Sequence, residues 1–481
     1  MIEKTKMVFP CNNHFRLRTS DLKQALELAL SRGGEFADIF LEHRITRSIL
    51  MEEDIIKETS ENIILGLGIR VIKKDQTGYA YTNDFSESKI KFAAEAAAAI
   101  ASSTEVKTSP LKLKLRPIKP KKEVAVVKSL ATSSELQKKL EIVQKAYNSA
   151  LKFDPVIKKV QVAYGESSQQ VWIVNSEGLS IKDTRPMVKL VVQAIAEKNG
   201  RRESGFYGGG GRVGLEFFSN QMIPEEIGQE AAKEAYLLLE AIEPPAGEYP
   251  VILAPGHSGV LVHEAVGHLL EGDFIRKKTS IFWNKLEKQV GSEQITIYDD
   301  PTIPGLRGSY NVDDEGTLPE KTLLIERGKV KGFLQDRLSA RWMKKILNGH
   351  GRRQDFTYWP VPRMSNTYID RGEYSADEII HSVSKGFYVS RLSGGQVEDS
   401  GKFTFSVTLG FMIEDGRLTR PVKQATLIGT NLDILQKVEM VGSDLEFGLQ
   451  TGTCNKEGQD VPVSEGCPTM KISRMTIGGV R

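Results

Sequence analysis

The chain has 481 residues, which at about 100–200 residues per domain predicts two to four domains. Its 65 Lys and Arg nearly balance its 62 Asp and Glu, and a net charge of +3 argues against a nucleic-acid binder that relies on bulk positive charge. Three cysteines exclude a disulfide scaffold and favour a reducing, cytoplasmic location.

Membrane and export segments are not expected. No stretch approaches the roughly 18 consecutive apolar residues of a membrane span. Residues 1–18, which include Cys11, lack the apolar core of a signal peptide and read as a polar leader.

The first hundred residues alternate helical and strand patterns. Ser20 or Asp21 can cap the first helix, and Gly33 and Gly34 end it. The predicted elements are a helix over 22–29, strands over 37–41, 63–71 and 78–82, and a helix over 86–102. They predict an N-terminal α+β domain over residues 1–110.

A middle α+β segment is predicted over residues 111–245, either as a separate unit or as part of the same N-terminal lobe. Prolines and lysines over 105–124 indicate a solvated connector. The predicted elements are a helix over 134–150, strands over 158–164, 170–175 and 187–197, and a helix over 223–242.

Four consecutive glycines, Gly208–Gly211, interrupt this segment. A phosphate-binding loop would end in Gly-Lys-Ser/Thr at the start of a helix, and that ending is missing. The run therefore predicts a turn or a close approach of two backbones.

Residues 246–481 are predicted to form a β-rich C-terminal domain. Short strand patterns recur over 249–253, 294–298, 322–325, 331–333, 403–413 and 423–427. The predicted fold class is α+β, with an N-terminal α/β lobe followed by a mainly antiparallel β domain that carries one functional helix.

The pattern His-Glu-x-x-x-His, at His263, Glu264 and His268, indicates metal chemistry. Zinc hydrolysis needs neutral imidazoles on the metal and a carboxylate near the attacking water. A five-residue spacing, however, separates two side chains by about 140° on a regular helix, against about 40° for the usual spacing of four. The histidines can share a metal if the helix widens locally, as in a π-bulge, or bends, and Gly267 would permit this. A pair of hydrogen-bonded structural histidines fits the spacing equally well.

A third metal ligand has four candidates from the residues alone. Glu271, Asp273 and His257 are close in sequence, and Glu271 could instead be a partner of a ligand. Cys454 is remote, but it lies in a polar, glycine-containing loop, where a buried inert cysteine is less expected. A thiolate suits zinc well.

Several blocks together resemble the TldD/PmbA family of metallopeptidases, also labelled modulators of DNA gyrase, and in particular its TldD-type member. The strongest block is His-Glu-Ala-Val-Gly-His followed by Glu-Gly-Asp, at residues 263–273. The other blocks are Pro-Arg-Met-Ser-Asn-Thr at 362–367, Arg-Pro-Val-Lys-Gln-Ala-Thr-Leu-Ile-Gly at 420–429, Cys-Asn-Lys-Glu-Gly-Gln-Asp-Val-Pro-Val at 454–463, Pro-Thr at 468–469 and Thr-Ile-Gly-Gly at 476–479.

The resemblance implies a zinc metallopeptidase of the His-Glu-x-x-x-His type. It implies His263, His268 and Cys454 as zinc ligands and Glu264 as the general base. Asn455 and Cys467 depart from the Gly and Gln that the family more often has. Asn455 tolerates left-handed backbone geometry well, and Cys467 is expected to be structural.

The resemblance also implies substrates and partners. The expected substrates are short or unstructured peptides, which a sheet could bind as an added strand. The expected assembly is a homodimer, or a heterodimer with a TldE/PmbA-like relative that lacks the motif, without direct nucleic-acid binding. Two other functions fit the sequence: a non-enzymatic regulator acting on gyrase or a toxin–antitoxin pair, and a zinc amidase acting on small molecules.

Further site residues are predicted around the metal. Arg363 and Asn366 could bind a substrate backbone or carboxylate, although a structural turn accounts for them slightly better. His257 and Glu271 are predicted to lie behind the metal ligands.

Overall fold

The computed structural model describes residues 15, 17–102, 113–119, 123–124, 129–398 and 401–479, so Cys11 and most of the predicted connector lie outside the described residues. The helices are α1 Thr19–Ala29, α2 Glu87–Ala101, α3 Leu136–Leu151, α4 Phe217–Asn220, α5 Pro224–Glu240, α6 Val260–Val262, α7 Gly272–Lys277, α8 Arg337–Met343, α9 Ala376–His381 and α10 Asn431–Gln436. In this part of the chain, no helix combines the length and apolar character that a membrane crossing requires.

Most described strands are arranged in three large sheets. The strands of the first half are β1 Phe36–Glu52, β2 Ile55–Lys73, β3 Gln76–Thr82, β4 Arg116–Pro117, β5 Ile157–Asn175, β6 Leu179–Lys198 and β7 Arg201–Gly211. Those of the second half are β8 Gly247–Leu253, β9 Ile297–Asp299, β10 Thr322–Glu326, β11 Lys329–Val330, β12 Gly351–Arg352, β13 Val361–Pro362, β14 Asn366–Ile369, β15 Lys385–Val397, β16 Lys402–Glu414, β17 Arg417–Thr430, β18 Val438–Val441, β19 Glu446–Phe447, β20 Thr453–Lys456, β21 Gln459–Pro462, β22 Ser464–Cys467 and β23 Met470–Gly478.

The first half forms a seven-stranded sheet, in the order β3-β2-β1-β5-β6, with β4 and β7 both paired to β6. Side chains alternate between its faces along the long strands. Ile39 and Ile49 of β1 point toward the face covered by α1, α2, α3 and α5, whereas Phe40 packs with Val312 and Phe356 of the C-terminal half. The sheet therefore carries helices on one face and the C-terminal half on the other.

Strands from both predicted N-terminal segments pair within this sheet, because β1 lies between β2 and β5. The boundaries at residues 110 and 245 stay predictions. The strand patterns over 158–164 and 170–175 belong to the single strand β5, since the polar residues between them pair with β1 and β6 without a break.

The glycine run ends strand β7 and is not a turn. A Cβ on Gly210 would lie 2.3 Å from the carbonyl oxygen of Val188, and one on Gly209 would lie 2.2 Å from Sδ of Met222. Neither glycine has a positive φ. The run serves close packing rather than chain reversal, so of the two predicted roles the close backbone approach is the one observed.

The C-terminal half is built on a ring of strands. β17, β16, β15, β8 and β23 pair in order, and β17 also pairs with β23, which closes the ring, while β18 pairs outside it. A second sheet has the order β11-β10-β9-β14-β22-β19, and β12–β13 and β20–β21 form two short hairpin-like pairs. Most pairings are antiparallel, and the predicted α+β fold class is confirmed.

Substitution of Gly210 by Ala tests the packing role of the glycine run. We expect the free energy of unfolding to fall by about 1–3 kcal/mol, because the new methyl group meets backbone that must move. Gly394→Ala on β15 is the control, since a Cβ there meets nothing within 4 Å. Denaturant unfolding followed by circular dichroism measures both; equal stability of Gly210→Ala and the parent protein would contradict the packing role.

Candidate metal centre

The segment 260–270, called the site helix below, changes its winding at the histidine motif. α6 runs into a π-helical turn, His263–Gly267, which is followed by a 3₁₀ turn, His268–Leu270. The wider π turn accommodates the fifth residue between the histidines. The two imidazole rings therefore approach each other, with centroids 5.3 Å apart and ring planes at 87°. On a regular helix, the two side chains would point in directions about 140° apart around the helix axis.

Gly267 is required by packing, whereas its backbone has the dihedral angles of an ordinary right-handed helix, φ −55° and ψ −54°. A Cβ at this position would lie 1.9 Å from Sδ of the buried Met364. Apolar residues of the site helix, Leu261, Val262, Ala265 and Val266, pack in one core with strands of the five-stranded ring. The ring thereby fixes the back of the site helix and leaves its histidine side to face β20.

Cys454 reaches the histidines from the β20–β21 hairpin, where it lies opposite Val461. Its Sγ is 3.2 Å from Nε2 of His268, and one ligand atom from each of Cys454, His263 and His268 lies within 4.8 Å of the others. Asn455 beside it is extended, and the left-handed backbone of the hairpin falls instead at Glu457 and Gly458.

Arg363 holds this hairpin from behind. Its guanidinium is fully buried and donates hydrogen bonds to the carbonyl oxygens of Cys454 at 2.5 Å and Gln459 at 3.0 Å. These contacts bridge both strands of the hairpin and use the two terminal nitrogens of the guanidinium, while Nε has no partner among the described residues. Substrate binding by Arg363 stays a prediction.

Glu271 lies behind His268, with its Oε2 3.2 Å from Nδ1 of the imidazole. Lys456 donates to the same carboxylate at 2.9 Å, to Asp273 at 2.7 Å and to the carbonyl oxygen of Pro362 at 3.1 Å. Lys456 and Glu271 are both buried. A carboxylate on the second nitrogen of a ligating imidazole fixes its tautomer and orientation.

Lys456 escaped the sequence analysis. A signal for it existed: it follows Cys454 by two residues, and in a strand such residues share a face. A buried face that holds Cys454 therefore also receives the lysine, which then needs carboxylate partners.

The charges of the centre shift its pKa values strongly. Burial alone would raise the pKa of Cys454, but the neighbouring His268 and His263 hold it well below its usual range. Burial lowers the pKa of His263, yet the Cys454 thiolate and Glu264 raise it to about 9. For Glu271, burial is outweighed by Lys456 and His268, which lower its pKa to about 2. The centre thus stabilises a thiolate beside positive charge.

A metal ion fits this set of residues. Neither ring nitrogen of the buried His263 has a hydrogen-bond partner among the described residues, although polar atoms at such depth normally have one. Two imidazoles and a thiolate are ligands that zinc prefers. The structure therefore offers His263, His268 and Cys454 as three converging donors.

Glu264 lies at the open side of the centre. Its side chain is about a quarter exposed, and Oε2 is 3.6 Å from Nε2 of His268. Its carboxylate is thus beside the three donors, yet accessible from solvent. This is the position that a general base needs in order to reach a water molecule.

The remaining predicted site residues are not part of the cluster of three donors. His257 is partly exposed, with Nδ1 3.9 Å from Oε2 of Glu465. Asn366 is fully buried on β14 and donates to the carbonyl oxygen of Asp300 and to Oγ of Ser309. The roles predicted for both residues stay predictions.

Comparison with known proteins gives consistent matches over nearly the whole chain. The descriptions PmbA/TldA metallopeptidase domain 1, central domain and C-terminal domain match residues 37–101, 130–239 and 246–479. A Haemophilus influenzae protein named a metalloprotease TldD homolog is 38% identical over 471 residues, 96% of this chain and 97% of the relative. A Saccharolobus solfataricus protein named a zinc metalloprotease TldD homolog is 28% identical, with 95% and 99% covered.

Solved structures share the fold. A Thermotoga maritima protein described as a candidate modulator of a DNA gyrase has a TM-score of 0.78 at 22% identity, with 96% of this chain and 100% of that chain covered. TldE from Thermococcus kodakarensis has a TM-score of 0.75 at 21% identity, with 95% and 100% covered.

Lys456→Met tests the buried charge network. We expect a loss of about 3–5 kcal/mol in the free energy of unfolding, because the buried Glu271 carboxylate loses its partner. Lys277→Met is the control: Lys277 is exposed, its ion pairs are Asp273 at 3.8 Å and the exposed Glu457 at 3.3 Å, and its loss should change stability by less than about 1 kcal/mol. Chemical denaturation measures the free energy of unfolding of both variants. A loss for Lys456→Met as small as the one expected for Lys277→Met would show that the Lys456 pairing contributes little.

Proposed function

The chain belongs to the PmbA/TldA metallopeptidase family, and from this premise we propose that it is a zinc-dependent peptidase of the His-Glu-x-x-x-His type. The proposed ligands are His263, His268 and Cys454. The observation that carries the proposal is their convergence to within 4.8 Å, from a π turn and a hairpin that are remote in sequence. The name of the Saccharolobus relative supports zinc as the metal.

The surrounding residues divide the work of hydrolysis. When bound, zinc supplies a Lewis acid that polarises a carbonyl and lowers the pKa of water. Glu264 accepts a proton from the attacking water and returns it to the leaving amine. Glu271 orients His268 through Nδ1, and Arg363 holds the Cys454 carbonyl and so the hairpin.

The proposed substrates are short or unstructured peptides in extended conformation. Among the described strands, β20 pairs only with β21, so no described strand occupies its other edge, next to Cys454. An extended peptide can add to such an edge through backbone hydrogen bonds, which a folded domain cannot supply.

We further propose that the chain acts in the cytoplasm as a two-fold assembly. The partner is a second copy or a TldE/PmbA-like relative without the motif, and the fold that the chain shares with TldE is compatible with such a pair. Zinc, ligands, substrate class and assembly all belong to this proposal.

Glu264→Gln separates metal binding from hydrolysis. We expect unchanged zinc content and a fall in peptide cleavage of about 10²–10⁴-fold, because the proton acceptor is lost. Mass spectrometry of a digest of unstructured peptides, with and without chelator and with the partner subunit supplied, measures cleavage. Glu457→Gln on the hairpin turn is the control. Full activity of Glu264→Gln would refute its role; cleavage of small amides but not peptides would favour an amidase.

Cys454→Ser tests the third ligand. We expect zinc content, measured by elemental analysis after dialysis, to fall at least tenfold, because a hydroxyl replaces a thiolate. Cys467→Ser is the matched control, since Cys467 is equally buried but bonds to the carbonyl oxygen of Pro468. Unchanged zinc occupancy in Cys454→Ser would exclude Cys454 as a ligand.

A further inference from the structure

A second polar site lies where the helix-free face of the seven-stranded sheet meets the C-terminal half. It is a cavity of about 90 Å³, large enough for several water molecules or one small ionic group. Five arginines line it: Arg44, Arg185, Arg212, Arg352 and Arg353. None of them is a proposed metal ligand.

Three of these guanidinium groups have carboxylate partners. Arg185 pairs with Asp183 at 3.0 Å and with Asp314 at 2.6 Å. Arg44 lies 3.2 Å from Glu42, and Arg353 contacts Asp38 at 3.5 Å. Their charges are balanced within the protein.

Arg212 and Arg352 have no such carboxylate partner among the described residues. Arg212 is 5% exposed, and its guanidinium donates a long hydrogen bond, 3.4 Å, to the carbonyl oxygen of Arg307. Its Nε has no partner among the described residues. Arg352 is 4% exposed and donates to the carbonyl oxygens of Met364 and Pro462. Within the described chain neither guanidinium forms an ion pair.

The acidic residues that line the cavity do not pair with Arg212 or Arg352. Asp314 is taken by Arg185, and Asp460 accepts from Asn455 at the exposed rim. Asp313 accepts from the backbone amides of Glu315, Thr317 and Gly351, and burial together with the nearby Glu315 raises its pKa. Burial and, to a smaller extent, the neighbouring Arg185 and Arg352 lower the pKa of Arg212 to about 9.

The glycine run delivers Arg212 to this position. Gly208–Gly211 lies flat against β6, and the amide of Arg212 then donates to the carbonyl oxygen of Gly305 at 2.9 Å. A Cβ on Gly211 would lie 2.6 Å from that same oxygen. Tight packing of glycines thus places a guanidinium inside the protein, where an unpaired charge is costly.

We propose that Arg212 and Arg352 form a binding site for a carboxylate in this cavity. A guanidinium presents paired donors that match the two oxygens of a carboxylate, and the cavity has room for such a group. The carboxylate comes either from a small free acid or from the C-terminus of a peptide. The site does not depend on hydrolysis, so it stands or falls separately from the proposed peptidase activity.

Binding is measured by isothermal titration calorimetry on the full chain carrying Glu264→Gln, so that no probe is cleaved. The probes are acetate, N-acetyl-dialanine and N-acetyl-dialanine amide, at an ionic strength fixed with potassium chloride. We expect both carboxylates to bind and the amide not to bind. Adding Arg212→Gln should raise both Kd values at least tenfold, whereas the control Arg202→Gln, an exposed arginine on β7, should not change them.

The probes also identify the source of the carboxylate. A Kd for N-acetyl-dialanine at least tenfold below that of acetate assigns the site to peptide C-termini, and equal values assign it to small free acids. Loss of binding in Arg212→Gln counts only if the circular dichroism spectrum of the variant matches that of the parent. If it does not match, Arg212→Lys is used instead. This variant keeps the positive charge but loses the paired guanidinium donors, so it should weaken binding severalfold. Binding that is unchanged in these variants, or absent in the parent, overturns the proposal.

Discussion

The ammonium group of Lys456, buried between two carboxylates, connects the two parts of the candidate metal centre. Glu271 and Asp273 come from the segment that follows the site helix, whereas Lys456 comes from the strand of Cys454. Buried charges are tolerated where each has partners, and here the partners belong to different segments. The same contact that neutralises the lysine thereby holds the segment of the proposed histidine ligands next to the strand of the proposed cysteine ligand. Glu271 also contacts Nδ1 of His268 and so orients that imidazole.

The winding of the site helix is the second constraint. A π turn is a rare, wider winding of the helix, and it persists where packing requires it. Here the five-stranded ring supports one side of the helix, and Met364 fills the space that a side chain at position 267 would need. On a regular helix, the five-residue spacing of the histidines argues against a shared metal ion. With the π turn, the same spacing is consistent with a shared metal ion.

Much of this could be predicted from sequence, and the remainder failed for identifiable reasons. Hydrophobic periodicity is local, so α1, α2, α3 and α5 were located to within two residues at most ends. The family resemblance, which rests on short motif blocks, is confirmed. Lys456, by contrast, depends on a pairing between residues 185 positions apart, and the fate of the glycine run depends on the strand and loop that pack against it. Neither partner is encoded near the residue itself.

The distance along the chain between the two sides of the centre has a consequence for biosynthesis. His268 and Cys454 are separated by 186 positions, and the hairpin that positions the thiol extends to Pro462. Domains fold as they emerge from the ribosome, from the N-terminus onward. A nascent chain that has completed the large sheet and the site helix still lacks the thiolate and the lysine that neutralises Glu271. The three donors can therefore come together only after residue 462 has been synthesised, and a chain that stops before Cys454 lacks the thiol.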